Sequence, residues 1–213
     1  MKSLFTADIR KKLAASRAVA TVTIDNVEDA KPLSEALLAG GIRSIEITLR
    51  TPAAINSIEL VAQSFPEMLV MAGTVISAKQ VKQVKDAGAL CAVAPGMNRK
   101  VIEAALENGL PFAPGIATPS EIESALEYDC DILKFFPAET SGGLSFLKNM
   151  QTPYSHLGLQ FIPLGGLNVS NASEYLKESY ILAVGGSWIA TAEAIRAGDW
   201  NGIKQRAATA AAL

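Results

Sequence analysis

The chain alternates between short apolar runs and longer segments in which apolar residues recur with the spacing of a helix face. Short apolar runs bounded by glycine, proline or polar residues are typical of buried strands, and the longer periodic segments are typical of amphipathic helices. The pattern predicts strands at residues 18–24, 42–49, 68–72, 89–94, 110–113, 131–136, 160–164 and 181–184. It predicts helices at residues 27–40, 52–64, 78–87, 100–108, 119–127, 144–150 and 171–177. Strand and helix therefore alternate regularly along the chain.

This alternation predicts the α/β class with a parallel sheet, because parallel neighbours need a crossover connection that is usually a helix. Eight strand positions favour closure into a (β/α)8 TIM barrel, as a single domain spanning residues 1–213. An amphipathic N-terminal helix at residues 3–16 is expected to cap this barrel. The main alternative is an open doubly wound sheet, which typically carries a glycine-rich turn after its first strand. Residues 25–27 contain no glycine, so the barrel is favoured.

Composition and charge narrow the range of partners. The chain is 49% hydrophobic with a formal net charge of -2 and no long run of lysine or arginine, which argues against nucleic acid or an anionic membrane as the main partner. No apolar stretch is long enough to span a bilayer, and the basic N-terminal residues lack the continuous apolar region of a secretory signal. Cys91 and Cys130 lie in or beside apolar runs, so we expect reduced core thiols and a cytoplasmic protein.

Lys134 is a charged residue inside the apolar run at residues 131–136, which Pro137 ends. Burial disfavours the ammonium form of a lysine and favours the neutral amine, which attacks carbonyl groups to form a Schiff base. The alternative is a structural lysine at a strand edge whose ammonium group reaches water. Lys134 is therefore a candidate nucleophile.

The second predicted strand separates polar from apolar side chains. A period of two places Glu46, Thr48 and Arg50 on one face and the isoleucines on the other. Because helices cover the outside of a barrel, the apolar face should point outward and the polar face inward. A carboxylate and a guanidinium inside a barrel are costly unless they are paired or used. Glu46 and Arg50 are therefore candidate site residues, with a structural ion pair between them as the alternative.

Glycine pairs end the last two predicted strands. Gly165 and Gly166 follow the seventh strand, and Gly185 and Gly186 end the eighth, directly before Ser187. In (β/α)8 barrels the loops after these two strands often bind phosphate through backbone N–H groups. The alternative is that the glycines serve turns, which often need a positive φ. Two pairs at the two expected places favour a phosphate site, to which the Ser187 hydroxyl adds a donor.

Other candidate contacts follow the third and fourth predicted strands. Thr74 is a candidate ligand contact, with a turn or cap hydroxyl as the alternative, and Pro95 lies in the corresponding turn after the fourth strand. The single histidine, His156, is expected in a surface loop. A catalytic metal site needs several clustered ligands, so we expect no metal and no other cofactor.

Four segments together resemble the 2-keto-3-deoxy-6-phosphogluconate (KDPG) aldolase and 4-hydroxy-2-oxoglutarate (KHG) aldolase family. They are residues 41–52, containing Glu-Ile-Thr-Leu-Arg-Thr-Pro, Ala-Gly-Thr-Val at 72–75, Leu-Lys-Phe-Phe-Pro-Ala-Glu at 133–139 and Gly-Gly-Ser-Trp at 185–188. The resemblance covers nearly the whole chain. It implies a class I aldolase on a (β/α)8 barrel that assembles as a homotrimer.

The resemblance also implies roles for individual residues. Lys134 would form the Schiff base and Glu46 would shuttle protons. Arg50 and Thr74 would hold the pyruvate carboxylate, and Phe136 would form a wall beside the keto acid, with Pro95 as a further substrate contact. The residues expected around the substrate phosphate are Gly165, Gly166, Gly186 and Ser187.

Two positions depart from the pattern of this family. Leu164 stands where a threonine is expected before the glycine pair, and Ala94 stands where a serine is expected before Pro95. Because Leu164 lacks a hydroxyl that would reach the sugar-like carbons of the substrate, the related 2-keto-3-deoxy-6-phosphogalactonate aldolase is an alternative.

The expected reaction is cleavage of KDPG to pyruvate and glyceraldehyde 3-phosphate, with cleavage of 4-hydroxy-2-oxoglutarate to pyruvate and glyoxylate as a second activity. A different hypothesis is a phosphate-binding barrel isomerase or synthase in which Lys134 forms no covalent bond. A third is a ligand-binding barrel without turnover. Fold alone does not separate these, since barrels support many chemistries.

Overall fold

The computed structural model describes residues 4–213. Its strands are β1 (Ala18–Val22), β2 (Ser44–Thr48), β3 (Leu69–Gly73), β4 (Cys91–Val93), β5 (Phe112–Ala113), β6 (Gly115–Ile116), β7 (Ile132–Phe135), β8 (Gln160–Pro163) and β9 (Val184–Gly186). Its α-helices are α1 (Ala7–Ser16), α2 (Ala30–Ala39), α3 (Ala54–Ser64), α4 (Ala78–Asp86), α5 (Arg99–Glu107), α6 (Pro119–Leu126), α7 (Gly143–Gln151), α8 (Ala172–Tyr175), α9 (Ala192–Arg196) and α10 (Trp200–Ala211). Short 3-10 helices at Val27–Asp29 and Thr152–Leu157 precede α2 and follow α7.

The strands close into a parallel barrel. Hydrogen bonds join six of them in the order β5-β4-β3-β2-β1-β9 and the other three in the order β6-β7-β8. β5 and β6 are two halves of one strand that Pro114 interrupts, because proline has no N–H to donate to a neighbouring strand. The ring is completed beside β8, where the Phe161 N–H donates to the Tyr180 carbonyl at 2.8 Å and the Leu182 N–H donates to the Phe161 carbonyl at 2.9 Å. The predicted (β/α)8 barrel is confirmed.

The largest departures from the predicted elements lie near the C-terminus. The last strand begins at Val184, so Gly185 and Gly186 pair with β1 as part of β9. Helices α9 and α10 were not predicted, because their segment has few large apolar residues. α10 instead packs closely through small ones: a Cβ on Gly40, at the end of α2, would lie 2.5 Å from the Ala207 Cβ.

Helix α1 closes the N-terminal end of the barrel, as the sequence predicts. Leu13 and Ile9, together with Phe5 just before the helix, are buried in the same apolar cluster as the barrel interior. Thr6 caps the helix by accepting from the Ile9 N–H at 3.3 Å. The guanidinium of Arg10 donates to the Asp131 carboxylate at 2.6 Å, which fixes the helix to the start of β7. The first residue of the predicted helix, Ser3, lies outside the described residues.

Side chains of β2 alternate between the helical shell and the barrel interior. Ile45 and Ile47 belong to the apolar cluster between the strands and the outer helices. Glu46 and Thr48 are also buried, but they bond to Thr21 on β1 and to Thr23 just after it. Polar groups therefore face inward on this strand, as its period of two predicts. Within residues 4–213 no helix is both long and apolar enough to cross a bilayer.

Candidate active site

Lys134 on β7 meets Glu46 on β2 inside the barrel. Lys134 Nζ lies 3.0 Å from Glu46 Oε1, although the two strands belong to different hydrogen-bonded sheets on opposite walls. Their side chains are 6% and 1% exposed. Charged groups so thoroughly removed from water are costly unless paired, and mutual contact provides the pairing. The structure thus brings together the candidate nucleophile and the candidate proton carrier.

The barrel interior around this pair is apolar. Met71 is opposite Glu46 in the register of the neighbouring strand and Ile162 is opposite Lys134, and both belong to an apolar cluster that also includes Val93 and Ile132. Burial raises the pKa of the Cys91 thiol far above its ordinary value, and the nearby Glu46 carboxylate raises it further. Cys91 is therefore a neutral thiol in this interior, and Lys134 is the group there with nucleophilic nitrogen.

Two residues that the sequence analysis did not single out shape the surroundings of Glu46. The Thr21 hydroxyl, on β1, donates to Glu46 Oε2 at 3.2 Å. Gly73, at the end of β3, leaves the space that the Glu46 carboxylate occupies. A signal for Thr21 exists in the sequence, since Thr21 and Thr23 alternate with apolar residues just as Glu46 and Thr48 do. No comparable local signal distinguishes Gly73 from a turn glycine.

Phe136 follows β7 and lies next to the reactive end of Lys134. The Lys134 Nζ is 5.4 Å from the centroid of the Phe136 ring, within the range of a cation–π contact. Gly165 also packs against this residue: a Cβ there would lie 3.2 Å from the Phe136 ring and 3.1 Å from the Pro137 Cα. The half-buried aromatic ring thus lies close to both the lysine and the loop after β8.

An open cleft of about 300 Å³ lies at the carboxyl ends of the strands, and neither Lys134 nor Glu46 is part of its lining. It is lined by hydroxyl-bearing, small and charged side chains, namely Thr21, Thr23, Arg50, Ser187, Ala190, Thr191, Ala192 and Glu193. Thr21 connects the two parts of the site, because it lines the cleft and also bonds to Glu46. This is the end at which barrel enzymes bind their substrates.

The structure brings Arg50 and Ser187 together on this cleft, and both are exposed. The remaining predicted contacts also follow their strands directly. Thr74, half-buried after β3, adopts a positive φ of 58°, which is uncommon for a threonine. Pro95 is exposed after β4, and its backbone packs so closely on Gly115 that a Cβ there would lie 2.3 Å from the Pro95 carbonyl carbon.

The glycine pairs differ from each other in position. Gly165 and Gly166 form a loop after β8 with φ values of 98° and 82°, in the region that favours glycine. Gly186 is buried at the end of β9 beside the Trp188 ring, where a Cβ would lie 2.4 Å from a ring carbon. Gly185 and Gly186 end the last strand, as the sequence predicts, and their pairing with β1 means that their backbone partly serves the sheet.

In the part of the chain that the structure describes, no group of three or more His, Cys, Asp or Glu side chains is arranged to hold a metal ion. His156 is exposed, as expected, but it lies in the 3-10 helix after α7 and so the predicted loop is wrong.

A closed (β/α)8 barrel that holds a buried lysine against a carboxylate, below a cleft at the carboxyl ends of its strands, defines a barrel enzyme equipped for amine catalysis. Residues 9–206 match the family model described as KDPG and KHG aldolase. The chain belongs to this family, and it is an aldolase, a carbon–carbon lyase. The predicted family and the predicted aldolase function are confirmed.

Individual relatives agree with this assignment over nearly full length. The 2-dehydro-3-deoxy-phosphogluconate aldolase of Treponema pallidum (strain Nichols) is 42% identical over 193 residues, covering 91% of each chain. A crystal structure of the Legionella pneumophila KDPG aldolase, with pyruvate captured as a covalent carbinolamine intermediate, is 40% identical with a TM-score of 0.89, covering 94% of this chain and 97% of that one. The Zymomonas mobilis ZM4 enzyme with 3-phosphoglycerate is 36% identical with a TM-score of 0.88, covering 96% and 95%.

Proposed function

We propose that this protein is a class I aldolase that cleaves KDPG to pyruvate and glyceraldehyde 3-phosphate, with Lys134 as its Schiff-base residue. The observation that carries the proposal is the 3.0 Å contact between Lys134 Nζ and Glu46 Oε1 in the barrel interior. Amine catalysis needs a nucleophilic nitrogen with a proton carrier within hydrogen-bond reach, and this pair meets both requirements. The carbinolamine captured in the Legionella pneumophila relative supports the extension to this chain.

In the first stage Lys134 attacks the C2 ketone of the substrate. Glu46 first accepts a proton from Lys134, and the neutral amine then adds to C2 to form a carbinolamine. Glu46 moves one proton from the nitrogen to the oxygen and gives its own proton to the resulting C2 hydroxyl, which leaves as water. The product is an iminium ion between Lys134 Nζ and C2, which can accept electrons. The 3.0 Å contact between Lys134 Nζ and Glu46 Oε1 is short enough for these proton transfers.

In the second stage Glu46 takes the proton of the C4 hydroxyl and the C3–C4 bond breaks. Its electron pair moves into the iminium to give an enamine, while C4 becomes the aldehyde of glyceraldehyde 3-phosphate. Glu46 then returns its proton to C3, and water releases pyruvate from Lys134. One carboxyl group thus acts alternately as base and acid. Its hydrogen bond with Lys134 Nζ places it within reach of the atoms that exchange protons.

Arg50 and Thr74 are proposed to bind the carboxylate of the pyruvate portion. Arg50 lies at the end of the strand that carries Glu46 and opens onto the cleft, where its guanidinium offers the paired donors that a carboxylate accepts. Phe136 and Pro95 are proposed to bound the keto acid on its apolar sides. Phe136 is supported in this role by its position beside Lys134 Nζ.

The substrate phosphate is proposed to bind near Gly165, Gly166, Gly186 and Ser187. The positive φ values of the loop after β8 and the exposed Ser187 hydroxyl are compatible with donors directed at an anion. The 3-phosphoglycerate in the Zymomonas mobilis relative has three carbons and one phosphate, as the expected product glyceraldehyde 3-phosphate does. Together these features favour a phosphorylated keto acid as substrate and pyruvate as product.

Cleavage of 4-hydroxy-2-oxoglutarate to pyruvate and glyoxylate is the second candidate activity. The family description, which names both KDPG and KHG, favours it. This substrate shares the C2 ketone and the C4 hydroxyl on which Lys134 and Glu46 would act. It has no phosphate, so we expect a higher KM than for KDPG.

We further propose that the chain forms one barrel domain per protomer of a cytoplasmic homotrimer. The family resemblance supports the trimer, and several large apolar side chains are exposed on the isolated chain: Ile76, Leu90, Leu106, Phe146 and Val169. Light scattering coupled to gel filtration should give three times the mass of the chain. A monomer at micromolar concentration would contradict this part of the proposal.

The decisive experiment is borohydride trapping with pyruvate, followed by peptide mapping. Reduction should leave a carboxyethyl group on Lys134, and the Lys134→Met variant should show neither this adduct nor release of pyruvate from KDPG. Lys148→Met, which removes an exposed lysine on α7, is the matched control and should behave like wild type. Folded protein that binds phosphorylated acids without trapping pyruvate would favour a non-covalent barrel isomerase or synthase instead.

A further inference from the structure

Glu46 makes two different side-chain hydrogen bonds, one through each carboxylate oxygen. Oε1 accepts from Lys134 Nζ at 3.0 Å, and Oε2 accepts from the Thr21 hydroxyl at 3.2 Å. Thr21 and Glu46 are directly opposed across the β1–β2 pair, so the backbone register holds the two side chains at the same height in the barrel. The carboxylate is therefore held at both ends.

The direction of the Thr21 bond is determined by chemistry. An ionised carboxylate has no proton to donate, so the hydroxyl must be the donor. A donor on Oε2 holds the plane of the carboxylate and leaves Oε1 to face Lys134.

The other neighbours of Glu46 do not supply such a donor. Among the described residues, the titratable groups that face the carboxylate are Lys134 from β7 and Cys91 from β4. Gly73 on β3 provides space alone, since it has no side chain. Thr21 is thus the neutral donor in the Glu46 surroundings, and it is half-buried where the cleft begins.

We infer that Thr21 is a positioning residue for the reaction: its hydroxyl holds Glu46 so that Oε1 carries protons to and from the substrate bound at Lys134. This inference rests on the proposed function of Glu46. Thr21 acts through Glu46 and need not touch the reacting carbons. Its contribution belongs to the proton-transfer steps and therefore to kcat, with little effect on substrate affinity.

The test compares variants of the full-length enzyme with KDPG, measured by coupled release of pyruvate. Thr21→Val keeps the shape of the side chain and removes the hydroxyl, and Thr21→Ser keeps the hydroxyl. We expect Thr21→Val to lower kcat about tenfold or more with KM within about twofold, and Thr21→Ser to restore most of the loss. Thr209→Val, which removes an exposed hydroxyl on α10, is the control and should match wild type.

The Glu46→Gln background separates a positioning role from a merely structural one. Because Thr21 acts through the Glu46 carboxylate, Thr21→Val should lower kcat much less in the Glu46→Gln enzyme than in wild type. Thermal unfolding of each variant provides the check on folding. If Thr21→Val does not fold, Thr21→Ala and Thr21→Ser make the same comparison.

The outcomes distinguish this inference from the proposed function. Wild-type kcat in folded Thr21→Val, with Glu46→Gln strongly impaired, would overturn the role of Thr21 alone. A loss of kcat that Thr21→Ser fails to restore would overturn it as well. A wild-type kcat in Glu46→Gln would show that Glu46 is not the proton carrier. Both the proposed mechanism and the role of Thr21 would then be wrong.

Discussion

Gly73, at the end of β3, leaves open the space that the side chain of Glu46 on the neighbouring strand β2 occupies. A Cβ on Gly73 would lie 2.3 Å from Glu46 Oε1, 2.7 Å from its Cγ and 2.8 Å from its Cδ. All three distances are too short for real contacts, so any side chain at Gly73 must move Glu46. The position of the carboxylate beside Lys134 therefore depends on the absence of a side chain at the end of β3.

Gly73→Ala should lower kcat for KDPG by about 10²-fold or more, because the displaced Glu46 loses its contact with Lys134 and with it the proton transfer. The fold should survive, because the obstacle is one movable side chain. Steady-state kinetics and circular dichroism give the two readouts. Gly96→Ala is the matched control, because a Cβ there meets nothing within 4 Å. A Gly73→Ala enzyme with unchanged kcat would show that Glu46 tolerates displacement.

Leu164→Thr should change the ratio of rates on the 6-phosphogluconate and 6-phosphogalactonate substrates. Leu164 is 4% exposed after β8 and packs on Gly185, so a threonine here would present a hydroxyl at the inner wall near the sugar-like carbons. Leu164→Val removes similar volume without a hydroxyl and is the control. The prediction is measured as kcat/KM for both substrates. The same ratio in wild type, Leu164→Thr and Leu164→Val would mean that this position does not select stereochemistry.

Leu13→Ala should destabilise the protein by about 2–5 kcal/mol, because α1 buries this side chain completely at the base of the barrel. The active site lies at the opposite end, so kcat of the folded enzyme should stay near wild type. Urea unfolding followed by circular dichroism measures the loss. Leu106→Ala, at a position 38% exposed, is the comparison and should lower the free energy of unfolding by less. Equal losses in the two variants would argue against α1 as the helix that closes the barrel base.

The free energy of unfolding should fall as pH rises above about 9, partly through Cys130. Burial, followed by the charges of Asp131 and Asp129, raises the pKa of the Cys130 thiol from 9.0 to about 12. Between these values the unfolded chain releases the thiol proton while the folded protein keeps it, so stability present below pH 9 is progressively lost. Urea unfolding at pH 8, 9 and 10 measures the slope. Cys130→Ala should show a shallower decline than wild type, and identical slopes would contradict the assignment.

Much of the fold was accessible from local pattern. The regular alternation of apolar runs and helical segments was sufficient to predict a closed parallel barrel, because only a few arrangements bury both faces of so many strands. α9 and α10 escaped prediction because their burial relies on small residues such as Ala207, whose contact with Gly40 is a property of two packed helices. The interruption at Pro114 likewise became visible only with neighbouring strands on both sides.

The sequence by itself determined which residues of the site are chemically unusual. A lysine in an apolar run and a glutamate on the inward-facing side of a strand can both be recognised from local pattern. Only the tertiary structure decided that Lys134 and Glu46, separated by 88 positions, lie 3.0 Å apart, and that Thr21 and Gly73 complete the surroundings of the carboxylate. The physical reason is that contacts across a barrel depend on strand order and register. These are set by the packing of the whole chain, and no local period of the sequence encodes them.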